Sequence, residues 1–150
     1  MFCGETFFRI IMGMNLKKNP NHITLGKIGE DVAVRYLLRK GFRIIERNFD
    51  RKFGEIDIIA QAPDKTLVFV EVKAMRAGGR LVPEDHYSAS KRQKTQRICR
   101  MYANDHFNLV DDSRGWRMDL IAVQIPSEVA LEDNLGEVEN SCEIKMYENV

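Results

Sequence analysis

The chain has 150 residues, of which 44% are hydrophobic and 30% are charged. These values are typical of a soluble globular protein with one domain. The formal net charge of +1 conceals an asymmetry, because residues 127–150 hold seven acids and one base, whereas the preceding 126 residues hold 22 bases and 15 acids. A basic body is compatible with a polyanionic partner, whose binding the acidic tail would be placed to modulate.

The cysteines and the N-terminal segment favour a cytoplasmic protein. The three cysteines are far apart: Cys3, Cys99 and Cys142. They show neither a disulfide framework nor metal-ligand spacing, which favours a reducing compartment. The apolar run at 7–12 is short and contains an arginine, so it predicts neither a membrane span nor a signal peptide. We expect residues 1–22 to be a disordered extension, 23–126 a domain, and 127–150 an acidic tail.

Residues 24–40 have the pattern of a first helix. Thr24 is suited to the N-cap and Gly41 to a left-handed terminator. Glu30 falls at or beside the apolar face, where it is either a site residue or a first-turn glutamate favoured by the helix dipole. Four other charged residues are expected to face water: Lys27, Asp31, Arg35 and Arg39.

Three strands are predicted next. Residues 42–49 alternate loosely and indicate an edge strand, while 55–60 and 67–73 indicate a hairpin around a loop at 61–65. The third strand is apolar on both faces, which predicts a central position in the sheet. In the second strand, alternation places one set of side chains on a shared face: Ile56, Ile58 and Ala60. The opposite face carries Glu55, Asp57 and Ile59.

Acidic residues lie at one end of this hairpin. If residue 61 pairs with 67, Asp57 lies opposite Glu71, with Cβ atoms roughly 5 Å apart. Two facing carboxylates need a cation, supplied either by Lys73 on the same face or by a hard divalent ion. Two carboxylates, a metal ion and a lysine are the components of metal-assisted phosphodiester hydrolysis. The alternative is a surface hairpin with ordinary salt bridges.

Basic residues dominate the segment that follows. A second helix is predicted from 88 or 90 to about 104, with its inward side marked by Ile98, Met101 and Tyr102. Five bases occur between 91 and 100 without an acid: Lys91, Arg92, Lys94, Arg97 and Arg100. Phosphate backbones suit this surface, although a solvated basic face is the alternative. The preceding glycine-rich loop contributes Arg76 and Arg80, which would close over nucleic acid or simply connect two elements.

The C-terminal part completes the predicted sheet. Residues 116–125 alternate as a strand, in which Arg117 and Asp119 share a face, as a structural ion pair in the first place or, alternatively, with a role in the site. Residues 127–140 indicate an acidic, loosely structured linker, and 143–147 a short edge strand. The order of helix, three strands, helix and strand predicts an α/β fold with a mixed central sheet flanked by helices.

The motifs resemble those of a known group of nucleases. Asp57, thirteen intervening residues and Glu71-Val72-Lys73 resemble the D-x(n)-E-x-K signature of the restriction-endonuclease-like, or PD-(D/E)xK, superfamily, which includes archaeal Holliday junction resolvases. A fuller set of motifs resembles the YraN-like family of uncharacterised bacterial proteins over residues 24–125: Gly29-Glu30, Arg47-Asn48, Gly54–Asp57, Val70–Lys73 and Arg117–Asp119. This resemblance implies a restriction-endonuclease-like fold, with Glu30 as a third carboxylate and Lys91 as a polar residue of the site.

Together these patterns predict an endonuclease that acts on DNA, branched DNA included, with Mg²⁺ or Mn²⁺. Asp57 and Glu71 would bind the metal ion with Glu30, Lys73 would be the base or position the water, and Glu55 would support them. One alternative is a nucleic-acid-binding accessory protein without catalysis, and another is an interaction protein that uses the acidic tail. Symmetric cutting of two strands would favour a homodimer.

Overall fold

The order of helices and strands follows the prediction, with one additional helix. The computed structural model describes residues 24–78, 89–131 and 134–150. The elements are α1 (Leu25–Arg39), β1 (Arg43–Arg51), β2 (Gly54–Gln61), β3 (Leu67–Arg76), α2 (Ala89–Asp105), a 3-10 turn (Phe107–Leu109), β4 (Trp116–Ile125), α3 (Leu135–Ser141) and β5 (Glu143–Tyr147). The strands form one sheet in the order β1-β2-β3-β4-β5. Only the β3–β4 pairing is parallel among these strands, so a mixed α/β architecture is confirmed.

Helix α1 begins and ends as predicted. The Thr24 side chain accepts a hydrogen bond from the Lys27 amide, and Gly41 has a φ of 82°. Gly29 lies where α1 passes over β3, and a Cβ atom there would clash with the side chain of Ala74. This close approach of backbones is possible only with glycine. The helix therefore holds Glu30 next to the sheet.

The sheet is covered on both faces, and β3 lies at its centre as predicted. On the α1 face, Val68 and Val70 belong to a cluster with Val32. On the α2 face, Leu67 and Phe69 belong to a second cluster, with four residues of α2: Ile98, Cys99, Tyr102 and Ala103. Met101 was predicted to face inward, but it is 42% exposed. The helical turn instead directs Cys99 and Ala103 into the core.

The hairpin register is confirmed, but the predicted alternation fails at its acidic end. Gln61 pairs with Leu67, and the backbone pairs continue to Ile58 with Val70. Ile58 and Ala60 pack on the α1 face, whereas Ile56 packs on the α2 face with Phe49. The prediction that Ile56 shares a face with Ile58 was therefore wrong. The change of face lies opposite a residue of the neighbouring strand β1 whose backbone departs from the extended conformation.

That departure is at Asn48, a residue of β1 with a φ of 51°. It lies between the pairs Arg47–Ile58 and Phe49–Ile56, and is therefore opposite Asp57. A left-handed residue inside a strand reverses the side-chain alternation beyond it, as in a β-bulge. Strained conformations of this kind are concentrated at functional sites. The irregularity redirects side chains at the acidic end of the hairpin.

The C-terminal segment is part of the fold. Strand β5 pairs with β4 at the sheet edge, which confirms the last predicted strand. The predicted loose linker was wrong for Leu135–Ser141, which form α3 with Asn134 as N-cap. Glu139 of this helix is only 3% exposed, because Arg35 and Arg39 of α1 bind its carboxylate. Arg35 was expected to face water, but this long-range pairing leaves it partly buried, whereas Arg39 is exposed as predicted.

Two remaining expectations concern buried charge and membrane spans. Arg117 donates from Nε to both carboxylate oxygens of the fully buried Asp119 at 3.0 Å, so the predicted ion pair is confirmed. Asp31 was expected to face water, but its carboxylate binds Arg47 of β1 at 2.6 Å. Within the described part of the chain, the helices are too short or too polar to cross a bilayer. The predicted extension at 1–22 lies outside the described residues.

Candidate functional site

An open cavity of about 310 Å³ lies where the acidic ends of β2 and β3 meet the first turns of α2. Fifteen residues line it, among them five from the predicted site: Glu55, Asp57, Glu71, Lys73 and Lys91. Glu30 is the one residue of the predicted catalytic set that does not line the cavity. The fold therefore brings most of that set to one place, although these residues come from three elements.

Asp57 is fixed by a hydrogen bond across the hairpin. Its Oδ2 accepts from the Val72 amide at 2.7 Å, just beyond the last backbone pair between β2 and β3. Burial raises the pKa of Asp57, and the charges of Glu71 and Glu55 raise it further, against the Val72 amide and Lys73. A carboxylate has about four lone-pair sites, so one amide leaves it with further acceptor capacity. The Asp57 carboxylate is thus fixed in position, partly buried, and able to accept further bonds from a ligand.

Glu71 lies between two ammonium groups. Its Oε1 accepts from Lys73 Nζ at 2.6 Å and from Lys91 Nζ at 2.9 Å. Burial lowers the pKa of Lys73, but the hydrogen bond to Glu71 and the charges of Glu71 and Asp57 outweigh it, so the pKa is raised overall. Lys73 therefore keeps its proton at neutral pH. Of the two roles predicted for it, positioning the water fits this state better than acting as base.

Glu30 approaches the same region from α1. Asn48 Nδ2 donates to its Oε2 at 2.9 Å, and Arg47 Nη2 lies 4.0 Å from the same oxygen. The pKa of Glu30 rises from 4.5 to about 7, because of burial first and then the charge of Asp57, while Arg47 opposes the rise. A carboxyl group with a pKa near neutrality is typical of functional sites. Glu30 is therefore coupled to Asp57 without sharing its cavity.

Asn48 is the site residue that sequence reasoning missed. It was part of the Arg47-Asn48 motif, but no role was predicted for it. The structure shows it opposite Asp57 and hydrogen-bonded to Glu30, in the left-handed conformation that asparagine tolerates better than most residues. An asparagine inside an otherwise extended, partly β-branched segment is the signal that would have indicated this irregularity.

The donor set fits a hard divalent ion held by two carboxylates. Asp57 and Glu71 offer oxygen ligands in an open cavity, and Mg²⁺ is commonly bound through one or two carboxylates with water completing its shell. Among the described residues, no three Asp, Glu, His or Cys side chains are arranged to hold an ion together. The predicted ligand set with Glu30 is thus not assembled here. Asp57 and Glu71 are the two predicted metal ligands that line the cavity together.

The predicted nucleic-acid-binding residues divide into three groups. Lys91 and Lys94 line the cavity, and Arg97 lies beside it, over the ring of Phe53. Arg92 is exposed on the same helix. Arg76 is used structurally, because its Nη1 donates at 2.7 Å to the carbonyl oxygens of two residues after β4, Pro126 and Val129. Arg80 lies outside the described residues.

Comparison with known sequences places this arrangement in a family. The profile of Uncharacterised protein family UPF0102 matches residues 29–123, which include the whole acidic cluster. The chain belongs to the UPF0102 family. This confirms the resemblance to the YraN-like family.

UPF0102 proteins from several bacteria are similar to the chain over most of its length. A UPF0102 protein of Caldanaerobacter subterraneus subsp. tengcongensis is 37% identical over 117 residues, covering 77% of this chain and 92% of the relative. One of Rhodococcus opacus is 41% identical and covers 70% and 86%, respectively. One of Campylobacter concisus is 39% identical and covers 66% and 82%. UPF0102 membership therefore names a family without stating an activity.

Proposed function

We propose that this protein is a divalent-metal-dependent endonuclease with a restriction-endonuclease-like fold, similar to Holliday junction resolvases, that hydrolyses phosphodiester bonds in DNA. The observation that carries the proposal is the cluster of Asp57, Glu71 and Lys73 in an open cavity beside a basic helix. A partly buried acid with a raised pKa, here Asp57, next to a charged lysine is costly for folding alone and is typical of catalytic sites. The adjacent bases supply the counter-surface for a phosphate backbone.

Each residue has a distinct part in the proposed reaction. Asp57 and Glu71 would hold Mg²⁺ or Mn²⁺, which would supply an activated water and neutralise charge on the phosphate. Lys73 keeps its ammonium group within 2.6 Å of Glu71 and is placed to orient the attacking water or stabilise the phosphate oxygens. Lys91 adds a second positive charge at the cavity, on a more exposed side chain. Glu30, coupled to Asp57, is placed to tune that carboxylate's charge.

The first test is cleavage. A panel of single-stranded, duplex, flap and four-way DNA substrates should contain at least one that is cut with Mg²⁺ or Mn²⁺ and spared in excess chelator. Asp57→Asn, Glu71→Gln and Lys73→Ala should each lower the rate roughly 100-fold or more, because each removes a ligand or a stabilising charge. The matched control is Lys145→Ala, which breaks the Lys145–Glu143 ion pair on the edge strand β5 and should leave the rate unchanged.

Two results would contradict this assignment: cleavage that persists in chelator, or cleavage that survives all three site substitutions. Comparing Lys73→Ala with Lys73→Arg separates the general need for a positive charge from the need for an ammonium group. An active arginine variant would show that charge is sufficient.

A second candidate is a nucleic-acid-binding accessory protein that does not cleave. It is favoured by the contacts of Glu71, whose charge is already balanced by Lys73 and Lys91 without a metal ion. This candidate predicts salt-dependent binding without cleavage of any substrate in the panel. In either case, Lys94→Ala and Arg97→Ala should each flatten the dependence of log affinity on log salt by up to about 0.9 on duplex DNA. An unchanged slope would mean that both residues face solvent and do not contact phosphates.

A further inference from the structure

An exposed aromatic ring stands at the mouth of the cavity. Phe53 occupies the turn between β1 and β2, lines the cavity, and is 52% exposed. The next residue, Gly54, has a φ of 143°, and a Cβ atom on it would lie 2.6 Å from Ile98 Cδ1 of α2. The turn is therefore packed closely against α2. This packing holds the Phe53 ring near the catalytic cluster, although the ring itself remains half exposed.

Basic side chains lie near this ring, as do Asp50 and Glu55, which line the same cavity. The Arg97 guanidinium lies over the Phe53 ring, 5.5 Å from its centroid. Arg51, two residues before Phe53, lies over the ring of Phe49 at 4.4 Å. Lys94 lines the same cavity. A basic rim that includes a half-exposed aromatic ring combines the two features with which proteins bind single-stranded nucleic acids, namely attraction of phosphates and stacking of bases.

We propose that Phe53 is a stacking platform for an unpaired nucleobase next to the phosphodiester in the cavity. This inference rests on the proposed function and deepens it, because it names the substrate class: DNA that offers an unstacked base, as single strands, flaps and the branch point of an open junction do. A base inside an intact duplex is stacked on both faces and cannot use the ring. Arg97 would hold the phenyl ring and contact the phosphate that accompanies the base.

The surface offers a matched control. Phe107 is also exposed, at 78%, but lies in the turn after the far end of α2 and does not line the cavity. Phe53→Ala and Phe107→Ala thus delete the same side chain at two exposed positions. Phe53→Leu keeps an apolar side chain without an aromatic face, and Phe53→Trp keeps the face and adds a fluorescent reporter.

The experiment measures the affinity of each variant for a phosphorothioate single strand and for a blunt duplex of the same sequence, with Mg²⁺ present. Phe53→Ala should weaken single-strand binding roughly 5- to 100-fold, as expected when one stacked base is lost, and duplex binding less than about twofold. Phe53→Leu should lose most of the same affinity, whereas Phe53→Trp should bind like wild type with quenched fluorescence. Phe107→Ala should change neither affinity, and melting temperatures confirm that the variants fold.

The outcomes separate this inference from the proposed function. If wild type binds DNA and Phe53→Ala binds like Phe107→Ala, the stacking platform is wrong while the proposed function stands. If Phe53→Ala weakens single strands and duplex equally, the ring contributes to general contact and the inference is also overturned. If wild type binds neither substrate, both proposals fail.

Discussion

Two regions of this molecule place carboxylates away from water and treat them in opposite ways. Glu139 of α3 is almost completely buried, and two arginines of α1, Arg35 and Arg39, bind its two oxygens. At the cavity, burial and the charges of Glu71 and Glu55 raise the pKa of Asp57. Glu139 is matched by two arginines and Glu71 by two lysines, whereas Asp57 accepts an amide hydrogen bond and lies among like charges.

Under the proposed function, this difference is that between a structural acid and a metal-binding one. Arginine offers a planar fork of donors, so the Glu139 pairing fixes the position of α3 on α1 and serves folding. Asp57 and Glu71 come from β2 and β3 and line the cavity, whereas Glu30 of α1 lies beside it, and the closeness of the three acids stabilises the fold less than neutral side chains would. Under the proposed function, a bound divalent ion would add positive charge next to Asp57. Burial alone would not have separated the two cases.

The largest effect is expected when the structural pairing is broken. Replacing Arg35 and Arg39 together by Met keeps their aliphatic stems but leaves the Glu139 carboxylate buried without a cation. The free energy of unfolding should fall by about 3–5 kcal/mol, which denaturant titration would measure. Adding Glu139→Leu to the double variant removes the buried charge and should restore much of the loss. A double variant as stable as wild type would mean that Glu139 is not the anchor of α3.

A smaller effect is expected when the cavity acids meet a metal ion. Wild type should gain about 2.7 kcal/mol of stability when Mg²⁺ or Mn²⁺ is present at a hundredfold excess over the dissociation constant. Asp57→Asn keeps an oxygen to accept the Val72 amide and removes one repelling charge, so its metal-free form should be at least as stable as wild type. It should lose most of the metal-dependent gain, because an amide is a poorer ligand for a hard cation.

Thermal melting of both proteins with and without the ion provides the measurement. Asp112→Asn, in an exposed turn, serves as the control for removing one negative charge. A less stable Asp57→Asn protein, together with indifference of wild type to both ions, would assign the cavity acids to a structural salt bridge.

Local patterns predicted the parts of the fold that depend on neighbours in sequence. The cap at Thr24, the register of Gln61 with Leu67, and the pairing of Arg117 with Asp119 all follow from spacings of a few residues and from turn chemistry. These features correctly placed Asp57, Glu71 and Lys73 together at one end of the central hairpin.

The features that were missed depend on contacts between distant segments. The segment that forms α3 was predicted to be an acidic linker. Its helical structure could not be predicted locally, because Glu139 is stabilised by Arg35 and Arg39, which lie about a hundred residues earlier in the chain. Likewise, Asn48 combines a left-handed conformation with a hydrogen bond to Glu30 of α1, eighteen residues earlier in the chain. Strand alternation is a local rule, so it cannot anticipate a position where a helix redirects the strand. The positions where the local rule failed border the candidate site.

The smallest predicted effect concerns Glu30 and the pH dependence of stability. Because its pKa rises from 4.5 to about 7 in the folded protein, folding favours the protonated form. The stability from this group is fully present below pH 4.5 and is lost as the pH rises through about 7. Glu30→Gln still offers a carbonyl oxygen to Asn48 but cannot ionise. Its advantage over wild type should therefore grow by about 1–2 kcal/mol between pH 4.5 and pH 8, a value reduced by partial exposure to water.

Denaturant titration at a series of pH values measures this difference, with Glu137→Gln on the exposed side of α3 as the control for losing one carboxylate. Wild type and Glu30→Gln should converge below pH 4.5, separate between pH 4.5 and about 7, and keep a constant separation at higher pH. Parallel curves would show that Glu30 titrates alike in the folded and unfolded chain and is not coupled to Asp57. In that case the like-charged cluster would consist of Asp57 and Glu71 alone, and Asn48 would orient a side chain outside the site.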